Sequence, residues 1–441
     1  MSSATPTGIG VRMYQVGFGD CFVLSFHYDA PLDDGRDVRH VLFDFGSTRW
    51  PKLHEGRYAD IADDVSAHTA GALDAVVITH RHKDHLGGFG NKQAAAKIAS
   101  LNPKAVVRPW TENPTAAAGA TGPAFVGERS FRYVRSLEQA QKFAEVVASS
   151  IDQEERGFRG DLRDVAEEQL KNKSAIKRLD DMAAATANKG DYVFAGSPIS
   201  FDKLLPGVTT TVLGPPTIDM WPQVAGEKAD DPEYWLRQRG LLGRMLAAGD
   251  ASPDTARVAD TMVDAQPIDA QQIDPGPLRW IIERLHNQQT HSLLRIVGGL
   301  EDAMNNTSVI LLFQVGKRTL LFPGDAQIEN WSYCLTSPKA KPLRAALPDV
   351  DFYKVGHHGS RNASPRSLVA EWGGRAFKLS SMMSTLPDVH GDTEATAVPR
   401  QTLVDALKAL GPLFRTDDLK PDDLFKEVSA STADTEPFAP V

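Results

Sequence analysis

The chain has 441 residues, 41% of them hydrophobic, which is enough for a sizeable core and for two or three domain-sized units. Two cysteines exclude a disulfide scaffold and a thiolate metal site, and a formal net charge of −9 excludes a global attraction to nucleic acid. The first residues lack the pattern of a signal peptide, and no run is apolar enough to cross a bilayer. We therefore expect a cytoplasmic protein with no membrane partner.

The N-terminal part of the chain predicts short strands joined by turns. The segment VRMYQVGFGDCFVLSF has two apolar runs around a Gly-Phe-Gly-Asp turn, and HVLFDFGS is a third run. The next run, GALDAVVITH, is continuously apolar and rich in β-branched residues, and it ends at His80. Such a run is typical of a strand that is buried on both faces.

The pattern changes over residues 111–302. Segments such as SLEQAQKFAEVVASSI and LRDVAEEQLKNKSAIKRLDDMAAATA have the apolar spacing and composition of helices. One strand-like run, VTTTVLGPP, interrupts them. We predict a mainly helical insertion that contains one core-type strand near residues 207–216.

Strands return after the insertion. SVILLFQVGKRTLLFPGDA predicts a hairpin whose turn is Gly316-Lys317, and DFYKVGHHGS predicts one more strand. RQTLVDALKALG has the spacing of an amphipathic helix, and PLFRTDD follows as a short strand. Residues 419–441 are rich in Asp, Glu, Ser, Thr and Pro, and this composition predicts a flexible C-terminal tail.

Three of the predicted strands end in side chains that bind metals. HRHKDH contains His80, His82, Asp84 and His85, PGDA contains Asp325, and GHHGS contains His357 and His358. Each segment alone has a plain structural interpretation: a solvated face, a turn aspartate or a helix cap. Their joint occurrence after apolar strands favours a metal site at one edge of a layered sheet.

The spacing within HRHKDH suggests how the ligands divide. Alternate residues of an extended segment point to the same side, so His80 and His82 can face one metal ion. Asp84 and His85 would then face a second ion, and Asp325 on another strand could bridge the two. Two cysteines are too few for a thiolate metal site, so histidines and carboxylates must supply the ligands.

The order of these motifs resembles the metallo-β-lactamase-fold hydrolase superfamily, whose signature is H-x-H-x-D-H. VGFGDCFVL, NNTSVILLF, LLFPGDA, KVGHHGS and FRTDD are most similar to the ComEC-type hydrolase domain and its soluble relatives. The resemblance implies an α/β (α+β) fold, a four-layer αββα sandwich with a large helical insertion. Residues 1–110 and 303–418 would be the two halves of the metallo-hydrolase domain.

The resemblance also implies a set of site residues and a cofactor. The metal ligands would be His80, His82, Asp84, His85, Asp325 and His357, with His357 preferred to His358 because relatives use the first position. They would bind Zn²⁺, one or two ions, with Mn²⁺ as an alternative. Asp44 would orient the ligand loop. The remaining catalytic side chains would be Asp84, as ligand or proton acceptor, with His358 and His390 near the substrate. A further histidine that many relatives carry has no counterpart in VLGPP.

Three functions stay open from the sequence. The first is a metal-dependent hydrolase that uses metal-activated water on phosphodiesters, as a nuclease or phosphodiesterase. The second is a metallo-hydrolase of a small ester, lactone or amide, with the insertion as a lid. The third is a non-catalytic subunit with a structural metal, whose insertion recruits a protein partner.

Two basic runs bear on a nucleic acid or small phosphodiester as substrate. RSFRYVR interleaves arginines with aromatic residues, and KNKSAIKR clusters Lys171, Lys173, Lys177 and Arg178. Runs of this kind also form ordinary solvated helix faces, and the acidic total favours that interpretation.

Overall fold

The computed structural model describes residues 4–51, 56–113, 160–217, 219–225, 304–375, 377–387, 389 and 397–441. Within these ranges the protein is a mixed α/β structure with two mixed sheets, so the α/β class of the prediction is confirmed. None of the helices in these ranges is both long and apolar enough to cross a bilayer. His390 and the run RSFRYVR lie outside the described residues.

The first sheet has eight strands among the described residues, in the order β14-β13-β1-β2-β3-β4-β5-β6. Strands β1, β2 and β3 pair antiparallel, while β3 to β6 pair parallel. The strands span β1 Gly8–Tyr14, β2 Phe22–His27, β3 Val38–Phe43, β4 Ala75–Val77, β5 Ala105–Pro109, β6 Asp191–Val193, β13 Phe425–Ser431 and β14 Ala439–Pro440.

The second sheet has six strands in the described part of the chain, in the order β12-β11-β10-β9-β8-β7. The predicted hairpin is present as β8 and β9, which pair antiparallel, and β9 to β12 pair parallel. The strands span β7 Thr209–Gly214, β8 Ile310–Val315, β9 Arg318–Phe322, β10 Phe352–Lys354, β11 Ser380–Met383 and β12 Leu413–Arg415.

Helices connect the strands. The α-helices of the described ranges are α1 Tyr58–His68, α2 Lys83–Gly90, α3 Lys92–Ser100, α4 Gly160–Ala185, α5 Phe201–Leu204, α6 Ile328–Thr336, α7 Arg366–Trp372 and α8 Gln401–Leu410. Single turns of 3₁₀ helix lie at Trp110–Glu112, Pro222–Ala225, Pro338–Ala340, Leu347–Asp349, His357–Gly359 and Thr416–Asp418.

The apolar side chains form three main clusters, which explains why most strands read as continuous apolar runs. One cluster joins both sheets, and it includes Val11 of β1, Val77 of β4 and Phe313 of β8. A second packs the other face of the first sheet against α1 to α4. The third packs the other face of the second sheet against α6, α7 and α8. Strands such as β4 and β8 are therefore buried on both faces.

The described part of residues 111–302 contributes to both sheets. Its helix α4 packs with α2 on the first sheet, and β6 extends that sheet beyond β5. The predicted core-type strand is β7, which pairs with β8 at the edge of the second sheet. Parts of the predicted insertion are thus built into the same layers as the rest of the chain.

The expectation of a flexible tail at residues 419–441 was wrong. Strand β13 pairs antiparallel with β1 over seven residues, from Gly8 opposite Ser431 to Tyr14 opposite Phe425. Val428 and Phe438 are buried in the cluster between the sheets. The polar composition misled because β13 is close to the sheet edge, where only some of its side chains need to be apolar.

Candidate metal centre

The predicted ligands lie where strands of both sheets end. Asp44 follows β3 directly, and His80 lies three residues beyond β4. Asp325 follows β9, His358 follows β10, and these two strands are parallel neighbours. Because the carboxyl ends of parallel neighbours reach the same edge, residues far apart in sequence come together there.

Four side chains form a tight cluster at this edge: Asp84, His85, Asp325 and His358. One ligand atom from each lies within 4.8 Å of the others. His85 Nε2 is 3.0 Å from Asp325 Oδ2, and His358 Nε2 is 3.1 Å from Asp84 Oδ2. Metal bonds of about 2.1 Å place neighbouring ligand atoms about 3 to 4 Å apart, so these separations suit one bound ion.

The sequence favoured His357 as the ligand of this region, and the geometry corrects that choice. His358 is fully buried and belongs to the four-residue cluster, whereas His357 does not. Both residues adopt left-handed backbone angles, with φ of 46° and 52°. This tight turn directs the second histidine inward, while the backbone N–H of His357 donates to Asp325 Oδ1 at 3.1 Å.

Two imidazoles of the cluster are oriented by a partner on their other ring nitrogen. His85 Nδ1 is 2.8 Å from Asp44 Oδ2, and His358 Nδ1 is 3.0 Å from the carbonyl oxygen of Ser384. An acceptor at Nδ1 places the ring proton there and leaves the Nε2 lone pair directed at the cluster. Metal-binding histidines are usually held in this manner.

Asp44 organises the loop, as the sequence suggested. Its carboxylate accepts the backbone N–H of Thr79 and the Thr79 hydroxyl, each at 2.8 Å, in addition to His85. Asp44 has a left-handed φ of 52° and is buried. Burial raises the pKa of Asp44, and the neighbouring His85 opposes that shift.

His80 and His82 form a separate pair beside the four-residue cluster. His80 Nε2 is 2.9 Å from His82 Nδ1, and the ring of His80 is centred 4.1 Å from that of His85. Burial lowers the pKa of His80 and also that of His82, so both rings are neutral at neutral pH. Neutral imidazole is the form that binds a metal.

The charges within the cluster are balanced by protons. Burial alone would lower the pKa of His85 and His358, but nearby carboxylates, Asp325 foremost, raise the pKa of both. The same contacts outweigh burial at Asp84 and Asp325 and lower the pKa of each carboxyl. A divalent cation at the cluster would therefore compete with protons on these two imidazoles.

Lys354 and Asp20 are site residues that the sequence analysis missed. The Lys354 ammonium is buried, forms an ion pair with Asp20, and lies 3.8 Å from Asp325 Oδ1. Asp20 comes from the turn between β1 and β2, and Lys354 ends β10. A charged residue within an apolar strand such as DFYKV was the available signal, because a buried lysine needs an anionic partner.

Backbone contacts fix the start of α2 against the neighbouring turns. The amide of Asp20 donates to the Asp84 carbonyl at 2.9 Å, and the amide of Phe45 donates to the His85 carbonyl at 2.7 Å. A Cβ atom at Gly46 would lie 2.3 Å from the Asp84 carbonyl carbon, so only glycine fits there. The ligand segment is therefore held rigidly from both sides.

No protein-family model and no curated protein matches the sequence. Asp84, His85, Asp325 and His358 are buried, converging nitrogen and oxygen donors that could hold a metal ion.

Proposed function

We propose that Asp84, His85, Asp325 and His358 bind a divalent metal ion and that the protein is a metal-dependent hydrolase. The observation that carries this proposal is the convergence of four ligand atoms from three separate chain segments into one buried cluster. The orientation of His85 and His358 through Nδ1 adds to it, since such contacts serve no purpose in a merely solvated histidine.

The ligand types favour zinc. Imidazole and carboxylate ligands suit Zn²⁺, with Mn²⁺ as the alternative where oxygen ligands dominate. The four-residue cluster would hold one ion. The pair His80 and His82 would hold a second, with Asp325 between the two positions. When bound, the ion supplies Lewis acidity, which lowers the pKa of water toward neutrality and stabilises negative charge on oxygen.

The two carboxylates of the cluster, Asp325 and Asp84, would have different functions. Asp325 has one oxygen, Oδ1, close to the His357 amide and Lys354, so its Oδ2 is left for the cluster. Asp84 is the cluster residue with the most accessible carboxylate, its side chain being 12% exposed. It can therefore accept a proton from an attacking water at the open side of the site.

We also propose a four-layer αββα arrangement of the metallo-β-lactamase type. The motif order supports this proposal, and so do the three apolar clusters, one between the sheets and one on each outer face. The substrate that the ComEC-type resemblance suggests is a phosphodiester, in nucleic acid or in a small molecule, and the location would be the cytoplasm.

The described basic residues add little to a nucleic acid interface. Arg178 donates to the carbonyl oxygens of Phe89 and Gly90, and Lys177 pairs with Asp181 on the same helix. These two members of KNKSAIKR therefore have structural partners. The phosphodiester proposal depends on the motifs around the site.

The proposal is tested by metal content and by hydrolysis. The purified protein should contain zinc or manganese by elemental analysis, and after reconstitution it should hydrolyse bis-p-nitrophenyl phosphate and at least one of linear, circular or single-stranded DNA. Asp84→Ala should lower the rate by at least about 100-fold, since it removes both a ligand and the proton acceptor.

Asp63→Ala is the matched control, because Asp63 is an exposed aspartate of α1 that forms a surface ion pair with Lys97. Its rate should equal that of the wild type. Hydrolysis of a nitrocefin-type amide without phosphodiester cleavage would show that the substrate is a small amide or ester and not a phosphodiester. A bound metal with no hydrolysis of either compound, and with an Asp84→Ala variant that retains the metal, would contradict a catalytic role.

A further inference from the structure

A largely buried ionic network is joined to the ligand loop through Arg81. Arg81 stands between His80 and His82, and its guanidinium binds both carboxylate oxygens of Glu112. Nε is 2.6 Å from Oε1, and Nη2 is 2.9 Å from Oε2. This two-point contact fixes the orientation of the Arg81 guanidinium as well as its distance from the Glu112 carboxylate.

Glu112 is held in turn by a second arginine. Arg108 Nη2 lies 3.0 Å from Glu112 Oε2, and Arg108 Nη1 bonds to Asp180 of α4. The side chains of Glu112 and Arg108 are only 3% and 1% exposed. Burial raises the pKa of Glu112, but the two arginines outweigh it and the pKa is lowered, so the carboxylate is charged.

The backbone geometry connects this network to the histidines. His82 has extended angles, with φ of −68° and ψ of 151°. Arg81 itself lies at a bend, with His80 before it and His82 after it in the sequence. An anchor on the Arg81 side chain therefore restrains the backbone that carries His80 and His82 in their 2.9 Å contact.

A contribution to the free energy of unfolding does not by itself explain why the protein has this ionic network. Replacing a buried ion pair by apolar side chains of similar size often leaves the free energy of unfolding unchanged or raises it. Helix α4 also reaches the far end of α2, where Arg178 donates to the carbonyl oxygens of Phe89 and Gly90 at 2.6 and 2.7 Å. Both ends of the segment with the ligands are thus tied to α4.

We infer that Arg81 and Glu112 are positioning residues that hold His80 and His82 in register with the cluster of Asp84, His85, Asp325 and His358. This inference rests on the proposed function for its consequence, a tighter metal affinity. Residues that orient metal ligands typically contribute about 10 to 100-fold to affinity. Arg81 and Glu112 are not members of that cluster, so their effect on it would pass through the loop.

The decisive variant is Arg81→Met. It removes the link to the loop, while Glu112 keeps Arg108 as its partner and Asp180 stays bound to Arg108. The affinity of the metal-free protein for Zn²⁺, measured by competition with a chromophoric chelator, should fall about 10 to 100-fold. Arg81→Lys should be intermediate, because an ammonium lacks the planar fork of guanidinium.

Asp181→Asn is the matched control, since Asp181 adjoins Asp180 but forms its ion pair with Lys177 on the exposed side of α4. It should bind zinc as the wild type does. A thermal melt of each metal-free variant identifies general unfolding. Wild-type zinc affinity in folded Arg81→Met would overturn the inference.

Hydrogen exchange of the metal-free protein gives a readout that is independent of metal. The amides of His85 and Leu86 each donate to the His82 carbonyl at 3.0 Å, so their exchange reports on the loop. Arg81→Met should speed this exchange and Asp181→Asn should not. If wild type bound no zinc, the proposed function would fail, while faster exchange in Arg81→Met would still support the positioning role. Unchanged exchange would oppose it.

Discussion

The adjacent histidines of GHHGS show how one residue of register decides a role in the site. His358 is fully buried, with one ring nitrogen on the Ser384 carbonyl and the other 3.1 Å from Asp84. His357 contributes its backbone amide to Asp325. The two side chains therefore differ in their expected effect on metal binding, although both rings are imidazoles on the same turn.

Substituting each histidine by asparagine tests this difference. Asparagine tolerates the left-handed backbone that both positions require, so neither variant adds backbone strain. We expect His358→Asn to weaken Zn²⁺ binding by at least about 100-fold because a ligand is lost. His357→Asn keeps the backbone amide and should weaken binding much less. Isothermal titration of the metal-free variants measures both, and the reverse ranking would restore His357 as the ligand.

The sequence identified part of the site at this scale, for physical reasons. Asp84, His85 and Asp325 could be named because each belongs to a compact motif that comes soon after an apolar strand. The choice between His357 and His358 depends on the dihedral angles of a short turn, which composition does not encode. Asp20 and Lys354 form a pair across 334 positions of sequence, so the sequence around either residue does not identify its partner.

Among the elements, the β8–β9 hairpin was predicted completely. Its apolar runs and the Gly316-Lys317 turn are local signals, and the pairing runs from Val315 opposite Arg318 to Leu311 opposite Phe322. Strands β6 and β13 were missed, because short or polar strands take their conformation from the neighbour they join. The two edge strands of the second sheet, β7 and β12, were predicted, so position in the sheet did not decide which strands could be predicted.

The turn of this hairpin provides a stability prediction. Gly316 has a φ of 55°, and a Cβ there would lie 2.4 Å from the Thr432 carbonyl oxygen. Gly316→Ala thus combines a left-handed strain of about 1 to 2 kcal/mol with a backbone clash. We expect it to lower the free energy of unfolding, measured with urea, by clearly more than that strain alone.

Gly35→Ala is the control for backbone strain. Gly35 also has a positive φ, of 82°, but no atom lies within 4 Å of its added Cβ. It should cost only the strain, about 1 to 2 kcal/mol. Equal losses in the two alanine variants would show that the contact between the hairpin turn and Thr432 does not constrain the fold.

At the scale of the whole molecule, the two ends of the described chain meet in one sheet. Strand β1 lies between β2 and β13, and the Arg12 guanidinium is bonded to Glu427 of β13 and to Asp64 of α1. The composition of residues 419–441 concealed this pairing, since a partner strand more than 400 positions away leaves no local pattern. Long-range pairing was the least predictable part of the fold.

Two neighbouring residues of β13 test whether the pairing of β13 with β1 stabilises the fold. Val428 is buried between the sheets and Ser429 is exposed, because adjacent side chains of a strand face opposite sides. Val428→Asp should lower the melting temperature strongly or prevent folding, since it buries an unpaired charge. Ser429→Asp should change the melting temperature little. Equal and small effects, monitored by circular dichroism, would support the loose tail that composition suggested.

The pairing of β1 with β13 also has a consequence for folding during synthesis. Strand Gly8–Tyr14 is synthesised more than 400 residues before its partner Phe425–Ser431. During that interval, one row of its amides and carbonyls is unsatisfied and open to incorrect partners. A holdase that covers this strand until its partner has been synthesised would protect the nascent polypeptide from aggregation.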